Sequence, residues 1–186
     1  RKENQLTKKL KKEIGLSINI SRKQFRDQGL SNYISLILHA FDLDPASITL
    51  EITESAVFEQ EEQALEILQQ MKKLGVRIAL DDFGVGNSSL FKLKHLPIDD
   101  LKIDRAFLTD VPESEADKQI IQTITKTAHI LGLSVVVEGV ETQAQYDFLQ
   151  SLGCDQIQGF LLGRPCGIDQ IKQLLEESAL HETSQV

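Results

Sequence analysis

The sequence has little positive charge, few cysteines and no long apolar run. Its 186 residues contain 20 Lys and Arg against 28 Asp and Glu, which gives a formal net charge of −8. A surface that binds DNA or RNA needs clustered Lys and Arg to neutralise phosphates, so the composition argues against a nucleic-acid polymer as partner. An acidic protein can still bind a small phosphate ester, but it then needs metal ions or a few well-placed cations.

The two cysteines and four histidines show no spacing typical of a metal centre. Cys154 and Cys166 are not arranged as CxxC, and the histidines lack the spacing of zinc or haem ligands. No stretch approaches the roughly 20 apolar residues that cross a bilayer, and the basic start has no apolar signal core. We therefore expect a cytoplasmic domain, which a longer protein could still anchor to a membrane through another region. Because the first residue is Arg1 rather than Met, we expect such a longer protein.

Short strand-like runs alternate with longer amphipathic segments along the chain. The alternation predicts the α/β class and a parallel sheet with right-handed crossovers, which either closes into a barrel or stays open as a doubly wound sheet. We predict one domain over residues 1–180, followed by a frayed polar tail over 181–186. The predicted strands are 16–20, 48–52, 77–80, 101–103, 135–137 and 156–158, and the predicted helices are 30–41, 61–74, 117–131, 142–152 and 168–180.

Every predicted strand has, at or just beyond its end, a residue that can bind metal or phosphate. Barrel enzymes place their chemistry at this face, whereas an open sheet concentrates its ligand at one crevice, so the distribution favours a barrel. The residues are Asn19, Glu51, Asp81 with Asp82, Lys102, Glu138 and Gln158.

Taken singly, several of these residues have an ordinary structural explanation. Asn19 fits a polar residue that alternates outward on a half-buried strand. Glu51 and Glu54 fit carboxylates at a helix N-terminus, where the helix dipole favours them. Lys102 fits a lysine whose ammonium reaches the surface from an apolar strand, and Gln158 is weaker evidence still.

The acidic residues that follow two apolar strands are harder to explain structurally. Asp81 and Asp82 repel each other unless a cation or a proton intervenes, and a carboxylate that bridges two divalent ions would suit a phosphodiester site. Glu138 ends an apolar run that would not tolerate an idle charge. By contrast, Asp99 and Asp100 lie in a predicted loop, where we expect solvated turn carboxylates and no metal site.

The glycine-containing run after Asp82 is a poor match to a phosphate-binding loop. It has no Gly-Lys-Ser/Thr, and no third glycine or downstream ribose-binding acid of a dinucleotide fold. A lid loop is the better interpretation, and it would include Phe83, Gly84, Gly86, Ser88 and Ser89.

Six segments taken together resemble the EAL family, in that family's order and with near-family spacing over residues 16–165. The resemblance implies a modified TIM (β/α)8 barrel that hydrolyses cyclic di-GMP to linear 5′-pGpG with two Mg²⁺ or Mn²⁺ ions, in bacterial second-messenger signalling. The segments are Asn19, Glu51-Ile-Thr-Glu54, Asp81-Asp-Phe-Gly-Val-Gly-Asn-Ser-Ser-Leu90, Leu101-Lys-Ile-Asp104, Val137-Glu-Gly-Val-Glu-Thr142 and Gln158-Gly-Phe160.

The same resemblance implies a role for each residue. Asn19, Glu51 and Asp81 match ligands of the first metal, and Asp81 and Asp82 match ligands of the second, with Asp81 bridging. Glu138 would hold the second metal or its water, Lys102 would orient the attacking water, and Gln158 would complete that pocket. Glu54 resembles the glutamate that anchors the lid. Because the lid is linked in the family to dimerisation and signal input, we expect a homodimer and an upstream sensory or GGDEF-type domain.

Two departures from the family pattern leave alternatives open. The Glu-Ala-Leu segment lies well upstream of Asn19 in the family, but this chain begins only 18 residues before Asn19. A first-metal ligand and two of the eight barrel strands are therefore absent, which leaves open whether this chain alone is active. Within the lid, Val85 and Asn87 replace the usual Thr and Tyr. The alternatives are a catalytically degenerate cyclic di-GMP receptor or protein-interaction module, and another metal-dependent TIM-barrel hydrolase.

Overall fold

The structure, a computed structural model, describes residues 14–84 and 90–183. All six predicted strands are present, and each lies within three residues of its predicted bounds. The strands are β1 (Leu16–Ile20), β2 (Ile48–Thr53), β3 (Arg77–Phe83), β4 (Asp100–Ile103), β5 (Ser134–Glu138) and β6 (Gln156–Gln158).

The five predicted helices are also present, together with three short helices that the sequence did not predict. The short ones, Arg22–Phe25, Glu54–Phe58 and Leu90–Leu93, have four or five residues each, which is too short for a helical period to show in the sequence. No helix within the described ranges is long and apolar enough to span a lipid bilayer. The helices are α1 (Arg22–Phe25), α2 (Leu30–Ala40), α3 (Glu54–Phe58), α4 (Glu61–Lys73), α5 (Leu90–Leu93), α6 (Glu115–Ile130), α7 (Gln143–Ser151) and α8 (Ile168–Thr183).

The chain divides into two compact units. One unit, Gly15–Leu162, contains all six strands and helices α1 to α7. The other unit includes the segment from Gly163 onward, in which α8 is the described helix. That helix continues to Thr183, so the first half of the predicted polar tail is helical, and residues 184–186 lie outside the described residues.

The six strands form one sheet in the order β1-β2-β3-β4-β5-β6, and every neighbouring pair is parallel. A doubly wound sheet reverses its strand order at a switch point, whereas a (β/α) barrel adds each strand next to the preceding one. The sequential order therefore confirms the barrel-type α/β architecture, and residues 14–84 and 90–183 supply six of the eight strands that a closed barrel needs.

The strands alternate between an apolar face and a polar face. Leu50, Ile78, Leu101 and Val135 are buried in the hydrophobic core together with the apolar sides of the helices. The residues between them on each strand line a pocket on the other face, and most of these are polar. The polar pocket explains why the strands lack the continuous hydrophobic runs that are usual in parallel sheets buried on both faces.

The acidic pair before β4 is structural, and our expectation of solvated turn carboxylates was wrong. Asp100 is the first residue of β4 and is only 3% exposed. Its carboxylate accepts hydrogen bonds from Arg77 Nη2 at 2.5 Å and from Arg77 Nε at 3.2 Å. Asp99 accepts from Lys72 Nζ at 2.7 Å and from the Ile78 backbone N–H at 2.8 Å. These carboxylates connect β4 to β3 and to the end of α4, and no motif around them indicates such contacts.

The loop before β6 repeats the arrangement made by Asp99. Asp155 Oδ2 accepts a hydrogen bond from the Val135 backbone N–H at 2.7 Å and lies 2.8 Å from His129 Nε2 at the end of α6. Burial acts to raise the pKa of the Asp155 carboxyl, but the hydrogen bonds from Val135 and His129 outweigh it and hold that pKa below its usual value. In both places one carboxylate ties a strand to the preceding strand and helix, away from the carboxyl ends of the strands.

Candidate active site

The strand register brings the polar strand-end residues to one edge of the sheet. Asn19 pairs with Glu51 between β1 and β2, and Glu138 pairs with Gln158 between β5 and β6. Because all strands are parallel, their carboxyl ends lie at the same edge. Glu51 is two residues from the end of β2, and Glu138 and Gln158 are the last residues of their strands.

The centre of the site is the ammonium group of Lys102, which contacts three carboxylates from three other strands. Its Nζ lies 2.7 Å from Glu51 Oε2, 3.2 Å from Asp81 Oδ1 and 2.6 Å from Glu138 Oε1. Lys102 is only 3% exposed, so the explanation of a lysine that reaches the surface is excluded. The alternative explanation of Glu51 as a helix N-terminal residue is likewise excluded, because it lies buried within β2.

The charged groups of this cluster shift one another's pKa values. Burial alone would lower the pKa of the Lys102 ammonium, but the hydrogen bonds to Glu138 and Glu51 and the charge of Asp81 raise it above its usual value. Burial raises the pKa of Glu138, and the contact with Lys102 only partly offsets that effect. Lys102 is therefore held in its charged form, as a cation embedded in an acidic pocket.

A bulge in β3 separates the two adjacent aspartates. The register of β3 with β4 shifts between Leu80 and Phe83, and Asp82 has a φ of 58°, which is uncommon for a residue with a side chain. Asp81 is buried, whereas Asp82 is exposed, and the Asp82 backbone N–H donates to Asp81 Oδ1 at 3.0 Å. Backbone irregularities of this kind occur often beside active sites.

Asp104 is a further acidic residue at this edge, and it is not among the predicted site residues. Burial raises the pKa of Asp82, and the negative charges of Asp81 and Asp104 raise it further. Asp104 also caps the turn that follows β4, because its Oδ1 accepts a hydrogen bond from the Ala106 backbone N–H at 2.8 Å. Asp104 directly follows β4, as the other carboxylates of the site lie at or near the ends of their strands, and this position could have identified it as a site residue from the sequence.

Below the cluster a pocket of about 270 Å³ runs along the polar face of the sheet. Glu51, Lys102 and Gln158 line the part of the pocket that is nearer to the carboxyl ends of the strands. The ion pair of Arg77 with Asp100 lies toward the amino ends of the strands. The predicted residues Glu51, Asp81, Lys102 and Glu138 thus meet directly, and Gln158 lines the same pocket. Asn19 is exposed, and its backbone lies beside that of Glu51 in the pairing of β1 with β2.

Glu54 holds the backbone at the start of the predicted lid. Its side chain is 6% exposed, and Oε2 accepts a hydrogen bond from the Gly84 backbone N–H at 3.2 Å. Gly84 has a φ of 96°, and a Cβ there would lie 2.6 Å from the Phe107 ring, so a glycine is required. Phe83, which we predicted to be part of the lid, is instead the buried last residue of β3. The remaining predicted lid residues, Gly86, Ser88 and Ser89, and the substituted positions Val85 and Asn87, lie outside the described residues.

Two arginines of the α1 segment hold the short helix that begins with Glu54. Arg22 donates to Ser55 Oγ at 3.0 Å and pairs with Glu59 at the end of α3. Arg26 pairs with the same Glu59 carboxylate. These contacts were not predictable from the sequence, because both helices are too short to show a helical period.

A lysine of α5 contacts the far end of α3. Lys92 Nζ lies 2.5 Å from Glu61 Oε2 and 5.2 Å from the centre of the Phe58 ring. The segments on either side of residues 85–89 therefore both contact the region from Glu54 to Glu61.

The donor chemistry of the site fits hard divalent cations. Glu51, Asp81, Asp82 and Glu138 offer carboxylate oxygens and Asn19 an amide oxygen, which are ligands that Mg²⁺ and Mn²⁺ accept. Three of these carboxylates contact the one ammonium of Lys102, so this cluster has an excess of negative charge. Within the described ranges, however, no three His, Cys, Asp or Glu side chains are arranged so that they could hold a metal ion. The Lys102 ammonium lies between the carboxylates of Glu51, Asp81 and Glu138.

Comparison with known proteins identifies the family that this arrangement belongs to. The sequence model of the EAL domain matches residues 2–165. MucR of Pseudomonas aeruginosa, a bifunctional diguanylate cyclase/cyclic di-GMP phosphodiesterase, is 42% identical over 156 residues, which cover 84% of this chain and 23% of MucR. The chain thus spans less than a quarter of the length of that relative.

Solved structures with the same fold include ligand complexes. A structure of the PaMucR phosphodiesterase with c-di-GMP has a TM-score of 0.80 at 42% identity, covering 84% of this chain and 64% of that one. The EAL domain of Mycobacterium smegmatis DcpA has a TM-score of 0.84 at 38% identity, covering 89% and 74%. A manganese/cy-diGMP complex of Klebsiella pneumoniae BlrP1 has a TM-score of 0.78 at 31% identity, covering 87% and 42%.

Proposed function

This chain belongs to the EAL domain family, and we propose that residues 1–180 form part of a domain that hydrolyses cyclic di-GMP to linear 5′-pGpG. One observation supports this most strongly. Glu51, Asp81 and Glu138, which come from three strands, converge on Lys102 at the edge of the sheet where barrel enzymes place their chemistry. The substrate, c-di-GMP, is the ligand of the similar PaMucR structure.

We propose that the acidic strand-end residues hold two Mg²⁺ or Mn²⁺ ions. Asn19, Glu51 and Asp81 would bind the first ion, and Asp81 and Asp82 the second, with Glu138 at the second ion or its water. When bound, the ions polarise the phosphodiester and promote attack by water. The excess of carboxylates over cations in the cluster around Lys102 supports this assignment, and the manganese complex of the similar BlrP1 agrees with it.

The protein's own side chains would then orient the reactants. Lys102, whose side chain is buried, supplies a fixed positive charge that would stabilise the negative charge that develops on the phosphate. Lys102 would also orient the attacking water, and Gln158, which lines the same pocket, would complete the water's surroundings. Glu54 would anchor the lid through the Gly84 backbone N–H.

The wider setting is proposed from the family. We propose a homodimer in a cytoplasmic location, within a longer protein that also contains a sensory or GGDEF-type domain. The name of MucR, which combines diguanylate cyclase and phosphodiesterase activities, agrees with a GGDEF-type neighbour. The formal charge of −8 agrees with a small phosphodiester rather than DNA or RNA as substrate.

The proposal is tested by incubating the longer protein with cyclic di-GMP and either Mg²⁺ or Mn²⁺, and by measuring linear pGpG chromatographically. We expect turnover that stops when EDTA is added. Asp81→Ala should abolish turnover, because the loss of a bridging ligand removes both metals. Binding of cyclic di-GMP without turnover would contradict the enzyme and favour a receptor. Turnover that survives in Asp81→Ala would contradict the site.

A further inference from the structure

Three buried or half-buried carboxylates share one ammonium in this structure, and that sharing has a consequence for metal binding. Glu51 Oε2, Asp81 Oδ1 and Glu138 Oε1 all lie within 3.2 Å of Lys102 Nζ. Carboxylates this close together repel one another strongly unless a cation lies between them. Lys102 supplies that cation from within the chain.

We propose that Lys102 competes with divalent cations for these carboxylates, so that it stabilises the metal-free site and lowers its affinity for Mg²⁺ or Mn²⁺. The inference rests on the metal dependence of the proposed function. It concerns a different property of Lys102 from the orientation of water, because it acts before any substrate is bound.

The competition follows from the identity of the contacted residues. Glu51, Asp81 and Glu138 make up three of the five proposed metal ligands, and each contacts Lys102 through one carboxylate oxygen. A divalent ion that takes these oxygens must displace the ammonium or bind next to it, against charge repulsion. In either case Lys102 opposes the metal.

The test compares the wild-type longer protein with its Lys102→Met variant, which keeps most of the side-chain volume but removes the charge. We expect the metal-free variant, measured in EDTA, to unfold at a temperature at least about 5 °C lower, because the carboxylates lose their cation. We expect it to bind Mn²⁺ at least about tenfold more tightly by titration calorimetry, which corresponds to 1.4 kcal/mol. Added MnCl₂ should restore most of the lost thermal stability.

Two control variants separate competition from general destabilisation. Lys72→Met removes another half-buried lysine, which pairs with Asp99 away from the site. It should lower the unfolding temperature and leave Mn²⁺ affinity unchanged. Lys102→Arg keeps a positive charge between the carboxylates, so its Mn²⁺ affinity should stay within about threefold of wild type. If Lys102→Met is unfolded in EDTA, MnCl₂ should restore its native circular dichroism spectrum.

Each outcome decides the proposal. Equal or weaker Mn²⁺ binding by Lys102→Met, with binding by the wild type intact, would overturn the competition and leave the proposed function standing. Failure of an EDTA-unfolded Lys102→Met to refold with MnCl₂ would also overturn it. If neither protein binds Mn²⁺ at millimolar concentration, the proposed metal site fails, and the competition fails with it.

Discussion

Removal of the Glu54 carboxylate should release the backbone at Gly84 and slow the reaction. Glu54 is 6% exposed and accepts the Gly84 N–H at 3.2 Å. A hydrogen bond to a charged group contributes about 1.5–3 kcal/mol to stability, and the 3.2 Å length places this one at the lower end of that range. Because the proposed reaction uses the anchored backbone, the same free energy is lost from the transition state, which corresponds to roughly tenfold in rate. We expect Glu54→Ala to lower kcat/KM by about tenfold. Glu54→Gln keeps a weaker, neutral acceptor and should lose about half of that free energy.

The assay is the steady-state hydrolysis of cyclic di-GMP by the longer protein, with the unfolding temperature measured in parallel. Glu62→Gln is a matched control, because it neutralises an exposed glutamate of α4 that has no place in the proposed site. It should hydrolyse as the wild type does. If Glu54→Ala also hydrolyses at the wild-type rate while folded, the proposed anchoring role is refuted.

Three further predictions concern stability, each measured by urea unfolding. Asp100→Asn removes the charge of a buried ion pair with Arg77 and should cost about 1–3 kcal/mol; a loss below 0.5 kcal/mol would contradict a structural role. Gly84→Ala should cost about 1–3 kcal/mol, because the Cβ meets the Phe107 ring at a positive φ. The lowered pKa of Asp155 stabilises the fold above its unfolded pKa of about 4, and this contribution is lost as the pH falls through the folded pKa. Asp155→Asn should therefore be less stable than wild type at pH 7 and approach it below about pH 4; a pH-independent difference would refute this linkage.

The fold followed from the sequence because its strands and long helices have clear periods. The alternation of apolar and polar residues placed all six strands, and the polar residues between the apolar ones proved to line the pocket. The register of Asn19 with Glu51 was not predictable residue by residue, but parallel strand order was. Helix α3 was missed because its five residues are held by tertiary contacts, such as those of Arg22 with Ser55 and Glu59, rather than by an amphipathic period.

The sequence was sufficient to predict which residues form the site, but not which of them contact each other. Lys102 had a plausible surface explanation and Glu51 a plausible place at a helix N-terminus; the burial of Lys102 and the position of Glu51 within β2 exclude these explanations. For Asp99 and Asp100 the error was the reverse, because they were predicted to be solvated and are instead structural. Composition alone cannot distinguish a loop carboxylate from one that, like Asp99, accepts a hydrogen bond from a backbone N–H 21 residues away in sequence. Phe83 was assigned to the lid because the bulge that extends β3 has no sequence signature.

The most direct test of the central claim compares two aspartates at opposite ends of the same sheet. Asp81→Asn removes a carboxylate of the proposed phosphodiester site, whereas Asp99→Asn removes one that only joins β3, β4 and α4. Hydrolysis of cyclic di-GMP per folded molecule, with saturating Mn²⁺, should fall by at least about a hundredfold in Asp81→Asn and by less than threefold in Asp99→Asn. Equal losses in the two variants, or full activity in Asp81→Asn, would contradict a catalytic site at the carboxyl ends of the strands.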